Sequence, residues 1–209
     1  MKLSTICQDW LDSLPPTEGY LKNEQSRGRE FLLEKGLPSK KDEAWRLSNF
    51  NKLNSFLSLP TIIDSEDIQS KSIFPETDKN RARIIISPNK NPILNINLPN
   101  GIEKLNNKEI EDNLGKIVKS TNIKNDISVC LNQASSFGII ALKVKRDFNQ
   151  SLEIVIPSIE GKSISTRIFL LIEEGTKLDL LQIFTGNNNS AQNHLIEIKL
   201  KSKAELTHG

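Results

Sequence analysis

The sequence predicts an α+β protein in which helices come first and short β-strands follow. Three observations support this fold class. About the first sixty residues carry apolar side chains at the three- and four-residue spacing of amphipathic helices. The last third, from about 137 to 206, is a series of short runs in which apolar and polar residues alternate, as they do on strands that cover one side of a core. Part of this strand-rich third also repeats itself.

The repeat relates segment 168–178 to segment 196–206. In both segments apolar residues occupy matching positions and a small polar turn separates two strands, at an offset of 28 residues from Leu178 to Leu206. An earlier unit, 142–152, fits less well, with an offset of 26 residues from Leu152 to Leu178. Repeats of this length are typical of one coil of a stacked β-solenoid. Because an antiparallel β-sandwich has equally short strands, the period alone leaves both architectures open.

Composition excludes several functional classes. The chain has 209 residues with 28 Lys plus Arg against 26 Asp plus Glu, a balance that does not indicate a nucleic-acid binder. Its apolar runs are far shorter than the ~20 residues that cross a bilayer, and Met1–Thr5 does not begin a signal peptide. Two distant cysteines, Cys7 and Cys130, do not suggest a disulfide framework. We therefore expect a soluble protein of the cytoplasm.

Two helices are predicted near the N-terminus. The first carries Leu3, Ile6, Trp10, Leu11 and Leu14 on one face, and Pro15–Pro16 ends it. The second runs from about Glu18 to Lys35, and Gly36 follows where a C-capping glycine belongs.

The segment 36–53 places large apolar groups among charges. We interpret Trp45 as a buried side chain that fixes a short helix to its neighbours, with Arg46 stacked or paired beside it. Glu43 lies three residues before Arg46 and can pair with it on a helix. The alternative is that Trp45 and Arg46 form a recognition patch.

Further along, 58–80 is interpreted as a linker because it is rich in Ser, Thr, acidic residues and Pro. Strands are predicted at 82–86 and 93–98 around a turn, followed by one short amphipathic helix over 105–117 that Gly115 weakens. Asp126 is expected to cap a helix that carries Ile127, Cys130, Leu131 and Ala134.

No catalytic or metal-ligating constellation is predicted. The two histidines, His194 and His208, form no spaced metal motif with a cysteine, and His194 is expected to be exposed after an Asn-rich turn. Cys130 is interpreted as an inert core thiol. Glu173–Glu174 before Gly175 indicates a turn, and no phosphate-binding loop is present. From the residues alone, this is a binding or structural protein and not an enzyme.

Three stretches resemble the SufB/SufD family of iron–sulfur cluster assembly proteins, and within it SufD. The first is Gly36-Leu-Pro38 with Asp42-Glu43-Ala-Trp45-Arg46 and Leu53, although Leu47-Ser48 stands where the family typically has Tyr-Thr. The second is Leu131-Asn132-Gln-Ala134 followed by Phe137-Gly-Ile-Ile140, and the third is 167–180 with its turn Glu173–Thr176. Their order and spacing cover the chain almost end to end.

The resemblance implies a helical N-terminal region followed by a right-handed parallel β-helix. It implies a non-catalytic subunit that acts with a SufB-like scaffold and a SufC-like ATPase, in a complex that handles the iron–sulfur cluster while this chain holds no cofactor. Family members are about twice this long, so the cluster ligands and the ATPase docking region are expected beyond Gly209. Glu43, Trp45, Arg46, Leu131, Asn132 and Ala134 are the motif residues, with a structural role expected for each.

We accordingly divide the chain into a helical region (1–78), a small strand and helix connecting region (79–125) and the start of a truncated β-helix core (126–209). Two alternatives stay open. One is a carbohydrate-active β-solenoid, although the sequence shows no cluster of Asp with Arg or Lys. The other is the SufB-like scaffold, which would carry cluster ligands.

Overall fold

A computed structural model describes residues 4–61, 80–87, 93–94, 98–186 and 189–209. It contains helices together with parallel and mixed sheets, which confirms the predicted α+β class. Much of the predicted linker 58–80, and the turn between the two predicted strands of the connecting region, lie outside the described residues.

The predicted N-terminal helices are present. Helix α1 spans Thr5–Ser13, and it ends before Pro15–Pro16. A 3₁₀ turn at Gly19–Leu21 leads into helix α2, Lys22–Lys35. Gly36 ends α2 as predicted, with a φ of 71° and its N–H donated to the carbonyl of Leu32 at 2.8 Å.

Helix α6, Ile127–Ser135, packs closely against α2 and begins as predicted, with the Asp126 carboxylate accepting from the N–H of Ser128 at 2.7 Å. Gly28 makes the close approach possible, because a Cβ at this position would lie 2.6 Å from the carbonyl oxygen of Cys130. Helix α3, Phe50–Ser58, joins the same helical core, where Trp10 and Phe56 pack with their ring centroids 5.9 Å apart.

Two sheets follow the helical region. One has the order β2-β1-β5-β7-β9 and the other β3-β4-β6-β8. The strands are β1 Arg81–Ser87, β2 Ile93–Leu94, β3 Ile102–Lys104, β4 Ile139–Val144, β5 Ser151–Ile156, β6 Ser163–Ile172, β7 Lys177–Phe184, β8 Ala191–Leu200 and β9 Glu205–His208.

From β4 to β9, consecutive strands alternate between the two sheets, and all neighbours among these strands are parallel. Ile168 pairs with Ile196 and Leu178 pairs with Leu206, which is the predicted offset of 28 residues. The offset of 26 residues for the earlier unit is wrong, since Leu152 pairs with Leu180 and not with Leu178. The extra length in the earlier unit lies in its turn, where alignment by eye has no strand residues to match. This parallel pairing excludes an antiparallel sandwich for these strands.

The apolar faces of both sheets meet in one core. Side chains at alternate positions of β4, β6, β5 and β7 are buried in it, because successive residues of a strand point to opposite faces. Its fully buried members include Val144, Leu152, Ile154, Leu170 and Ile172. Ile196, Ile198 and Leu206 extend this core at the last strands, while Leu200 is 47% exposed.

The connecting region differs from its prediction in two respects. The expected single helix over 105–117 is two helices, α4 at Asn107–Asn113 and α5 at Lys116–Ser120. Gly115 separates them, with a φ of 74° that only glycine adopts without strain. The predicted strand pair is present as β1 and β2, but β1 also pairs in parallel with β5, which places it in the same sheet as later strands.

Helices α4 and α5 cover the outer face of the sheet that contains β8, and they change the fate of Glu197. This residue lies on the opposite face to Ile196 and Ile198 as expected, yet it is buried instead of exposed. Its carboxylate accepts from the N–H groups of Gly115 and Val118 and pairs with Arg167 at 2.6 Å. An outward position on a strand therefore became an interior position because a second layer packs on it.

Within the described residues, none of the helices combines the length and apolarity that a membrane span requires.

Candidate functional site

The motif residues occupy three kinds of position. Trp45 is half-buried at the end of a 3₁₀ turn, Glu43–Trp45, and its ring lies 6.3 Å from that of Phe50. Glu43 and Arg46 are exposed, and no ion pair joins them in the part of the chain that the structure describes. The predicted burial of Trp45 is therefore found only in part, because the turn leaves one side of the ring uncovered.

Asn132 ties α6 to two strands at once. Its side-chain amide donates to the carbonyl of Thr166 on β6 at 3.2 Å and to that of Asn193 on β8 at 2.9 Å. Asn132 and Ala134 are fully buried, so their structural role is consistent with the predicted one. A buried amide that spans neighbouring strands fixes where the helical region meets the sheet.

A groove of about 790 Å³ lies beside this junction. One wall comes from the turn and helix that hold Trp45, Lys52 and Phe56, and the floor includes Leu131 of α6. The opposite wall is the segment 190–194, which contains the beginning of β8. The groove thus brings together Trp45 and Leu131, which belong to two motifs that are far apart in sequence. Both the volume and the mixture of apolar and polar groups are typical of ligand sites.

The polar groups of the groove are mostly uncharged. Amide side chains come from Asn49, Gln192 and Asn193, and hydroxyl groups come from serines on three of the surrounding segments. Lys52 is exposed and is the only Lys or Arg among the described residues that line the groove, and none of these lining residues is Asp or Glu. The site therefore favours a neutral or negatively charged ligand.

His194 forms one end of the groove and is not exposed as predicted. Its ring stacks on Phe184 with centroids 4.5 Å apart, and its Nε2 lies 2.9 Å from the amide oxygen of Gln192. Burial lowers the pKa of His194 to about 4, so the imidazole is neutral near pH 7. Nδ1 is buried and has no hydrogen-bond partner. The Asn-rich turn before it suggested exposure, whereas its place between two strands determines its burial.

β8 contributes an open edge to the groove. It is the last strand in its sheet and pairs with β6 alone among the described strands. An edge strand presents backbone N–H and C=O groups that another strand can use. The sequence predicted a strand only from Leu195, so the four residues Ala191–His194 that form this wall were missed; their amide-rich composition gave no alternating pattern.

A second polar cluster lies on the other sheet, away from the groove. Glu153 is buried and pairs with Arg81 at 3.0 Å and with Arg83 at 2.7 Å. Asp179 lies nearby and lines a cavity of about 150 Å³ together with Arg81 and Glu153. The sequence analysis found no cluster of acidic with basic residues because these residues are about 70 positions apart and meet only through the parallel pairing of β1 with β5.

The two cysteines are buried in the helical core. Desolvation raises the pKa of Cys130 to about 11 and raises that of Cys7 as well. Both thiols are therefore protonated and unreactive at neutral pH. Among the described residues, no three His, Cys, Asp or Glu side chains are grouped in a way that could hold a metal ion.

Comparison with protein families and with curated proteins gives no match to this chain.

Proposed function

We propose that the chain is a non-catalytic subunit of a SUF-type iron–sulfur cluster assembly complex, of the SufD kind. In this proposal it acts in the cytoplasm with a SufB-like scaffold and a SufC-like ATPase. The iron–sulfur cluster is the cargo of the complex, and this chain positions partners while holding no cluster itself.

The proposal includes a specific architecture. We propose that the two sheets are the first coils of a right-handed parallel β-helix, which the family resemblance implies. Its support is the constant offset of 28 residues, which relates β4 to β6, β5 to β7, β6 to β8 and β7 to β9. A constant offset with strands that alternate between two sheets is the arrangement expected of stacked coils.

The observation that supports the functional proposal best is the convergence of the motif residues. Trp45 and Leu131 lie in one groove, and Asn132 next to Leu131 fixes the helix to β6 and β8. Residues that were identified separately from their resemblance to one family thus form one junction between a helical region and parallel strands. This is the order of elements that the family resemblance implies.

Affinity purification from the source organism tests the proposal. A tag is placed after Met1 in the native gene, and the co-purifying proteins are identified by mass spectrometry. We expect a SufB-like and a SufC-like protein to be enriched over a purification with the tag alone. Recovery of the tagged protein with neither partner, from cells in which both are expressed, would contradict the proposal. Visible absorbance of an iron–sulfur cluster on the tagged protein alone would instead favour the SufB-like scaffold.

The cluster around Glu153 gives a reason to keep a carbohydrate-active protein as a second candidate. Such enzymes usually group acidic with basic residues on an outer solenoid face, and Arg81 and Asp179 line a small cavity there. Against catalysis, Glu153 is held by two arginines, which stabilise its ionised form and remove it from acid–base chemistry. Cleavage of acidic polysaccharides by the purified chain, lost on Asp179→Asn, would establish this alternative.

A further inference from the structure

We infer that the groove beside Trp45 is a docking site for an extended, acidic segment of a partner protein, which pairs as an added strand with the open edge of β8. The inference does not depend on the proposed function, because it rests on the groove and on β8 alone.

The first argument is the position of β8 along the groove. Ala191–His194 form one wall, and β8 has a strand partner on only one side among the described strands. When a strand edge borders a groove, a peptide gains main-chain hydrogen bonds from the edge and specificity from the pockets that receive its alternate side chains. A compact small molecule would use the pockets but leave the row of backbone groups unpaired.

The second argument is the distribution of apolar groups. Trp45 is half-buried and borders the groove from one side, while Phe56 and Leu131 lie deeper and are buried. Large aromatic residues that are partly covered in the free protein are typical anchors of binding surfaces. Because successive side chains of a strand point to opposite sides, an added strand would place every second side chain toward this apolar floor.

The third argument is charge. Lys52 is the sole cation on the groove walls, and the described lining residues include no carboxylate. An acidic segment therefore meets a favourable charge and no repulsion, whereas a basic segment would meet Lys52 without compensation. The buried Nδ1 of His194, which has no partner, marks a further polar position at the end of the groove where a hydrogen-bonding group would be satisfied.

The test uses the 209-residue chain and a fluorescein-labelled peptide of about eight residues in which glutamate alternates with valine and phenylalanine, a length that matches the groove wall with a margin at each end. We expect saturable binding by fluorescence anisotropy, with a Kd of about 1–100 µM. A peptide with lysine in place of glutamate should bind at least about tenfold more weakly. N-methylation of alternate backbone amides, tested in both phases, should abolish binding in one phase and spare it in the other, because only one side of the added strand faces β8.

Two pairs of variants locate the site. Lys52→Glu should weaken the acidic peptide by about tenfold or more, whereas Lys108→Glu, an exposed lysine on α4 outside the groove, should change it less than about twofold. Trp45→Ala should weaken binding by about tenfold, whereas Leu47→Ala, which removes a side chain that is 93% exposed, should not. Circular dichroism confirms that each variant is folded before binding is measured.

Three results would overturn the inference. They are the absence of binding up to about 1 mM peptide, equal binding of the lysine peptide, and equal binding of both N-methylated peptides. Equal effects of Lys52→Glu and Lys108→Glu would also contradict it, because they would place the peptide elsewhere. A homodimer that the peptide cannot dissociate, seen by analytical ultracentrifugation, would assign the β8 edge to a second copy and would likewise contradict it.

Discussion

Ile168 lies beside Ile196 in a parallel strand pair, although the two residues are 28 positions apart in the chain. The same displacement relates neighbouring strands in both sheets, from β4 to β9. Each repeat therefore contributes one strand to each sheet and returns to the starting position. The core inside and the polar contacts outside are set by this geometry, and the predictions below follow from particular contacts within it.

The buried pair of Arg167 with Glu197 should be important for stability. Glu197→Gln leaves the Arg167 guanidinium, which is fully buried, without its counter-charge, and we expect a loss of about 3–5 kcal/mol in the free energy of unfolding. The control is Glu205→Gln, which breaks the exposed pair with Lys177 and should cost no more than about 1 kcal/mol. Urea unfolding of both variants measures the difference. Equal stability of the two variants would show that Glu197 is not buried against Arg167.

The two tryptophans should differ in their effect on stability. Trp10 is 3% exposed in the helical core, so Trp10→Ala should cost about 3–5 kcal/mol, the usual effect of a large cavity. Trp45 is half-buried on the groove, so Trp45→Ala should cost only about 1–2 kcal/mol. Thermal unfolding compares them. A larger loss for Trp45→Ala than for Trp10→Ala would restore the interpretation of Trp45 as a buried anchor.

Sequence analysis predicted the helices α1, α2 and α6 because each has a clear apolar face and a recognisable end. It also predicted the parallel offset of 28 residues, since the apolar positions of two repeats match. It could not predict the burial of Glu197 or the clasp around Glu153. Those depend on which layer covers a strand and which distant strand pairs beside it, and neither is written in local periodicity. Gly115 signalled a break in a helix, but the sequence did not show that two helices would result.

His194 should make stability depend on pH. Its pKa is about 4 in the folded state and 6.5 when unperturbed, so below pH 6.5 the unfolded chain binds a proton that the folded chain does not. Stability is therefore complete above pH 6.5 and is lost as pH falls toward about 4. Between about pH 7.5 and pH 5 the wild-type protein should lose about 1–2 kcal/mol more than His194→Gln does.

Urea unfolding at several pH values measures this loss. His208→Gln, which replaces an exposed histidine that contacts Gln182, is the matched control and should keep the wild-type pH dependence. An identical pH dependence for the wild type and His194→Gln would mean that the imidazole is solvated and not buried against Phe184.

The cysteines should be unreactive in the folded chain. Because the pKa of Cys130 is raised to about 11, a thiol reagent near pH 8 should modify it at least about a hundredfold more slowly than in the chain unfolded by urea. Cys7→Ser isolates this reaction. In the cluster assembly complex, replacement of both cysteines by serine should leave cluster formation unchanged. Loss of the cluster's visible absorbance in the double variant would assign an iron-binding role to one of them.

The parallel offset of 28 residues is the claim on which the proposed architecture and function both depend, and a cross-link tests it most directly. Lys177 and Glu205 are exposed partners on β7 and β9. In a background of Cys7→Ala and Cys130→Ser, we expect Lys177→Cys with Glu205→Cys to form a disulfide on mild oxidation, detected by mass spectrometry of the joined peptides. Lys177→Cys with Lys199→Cys, which places the second cysteine in the other sheet, should not cross-link. A disulfide in the second pair and none in the first would contradict the parallel register.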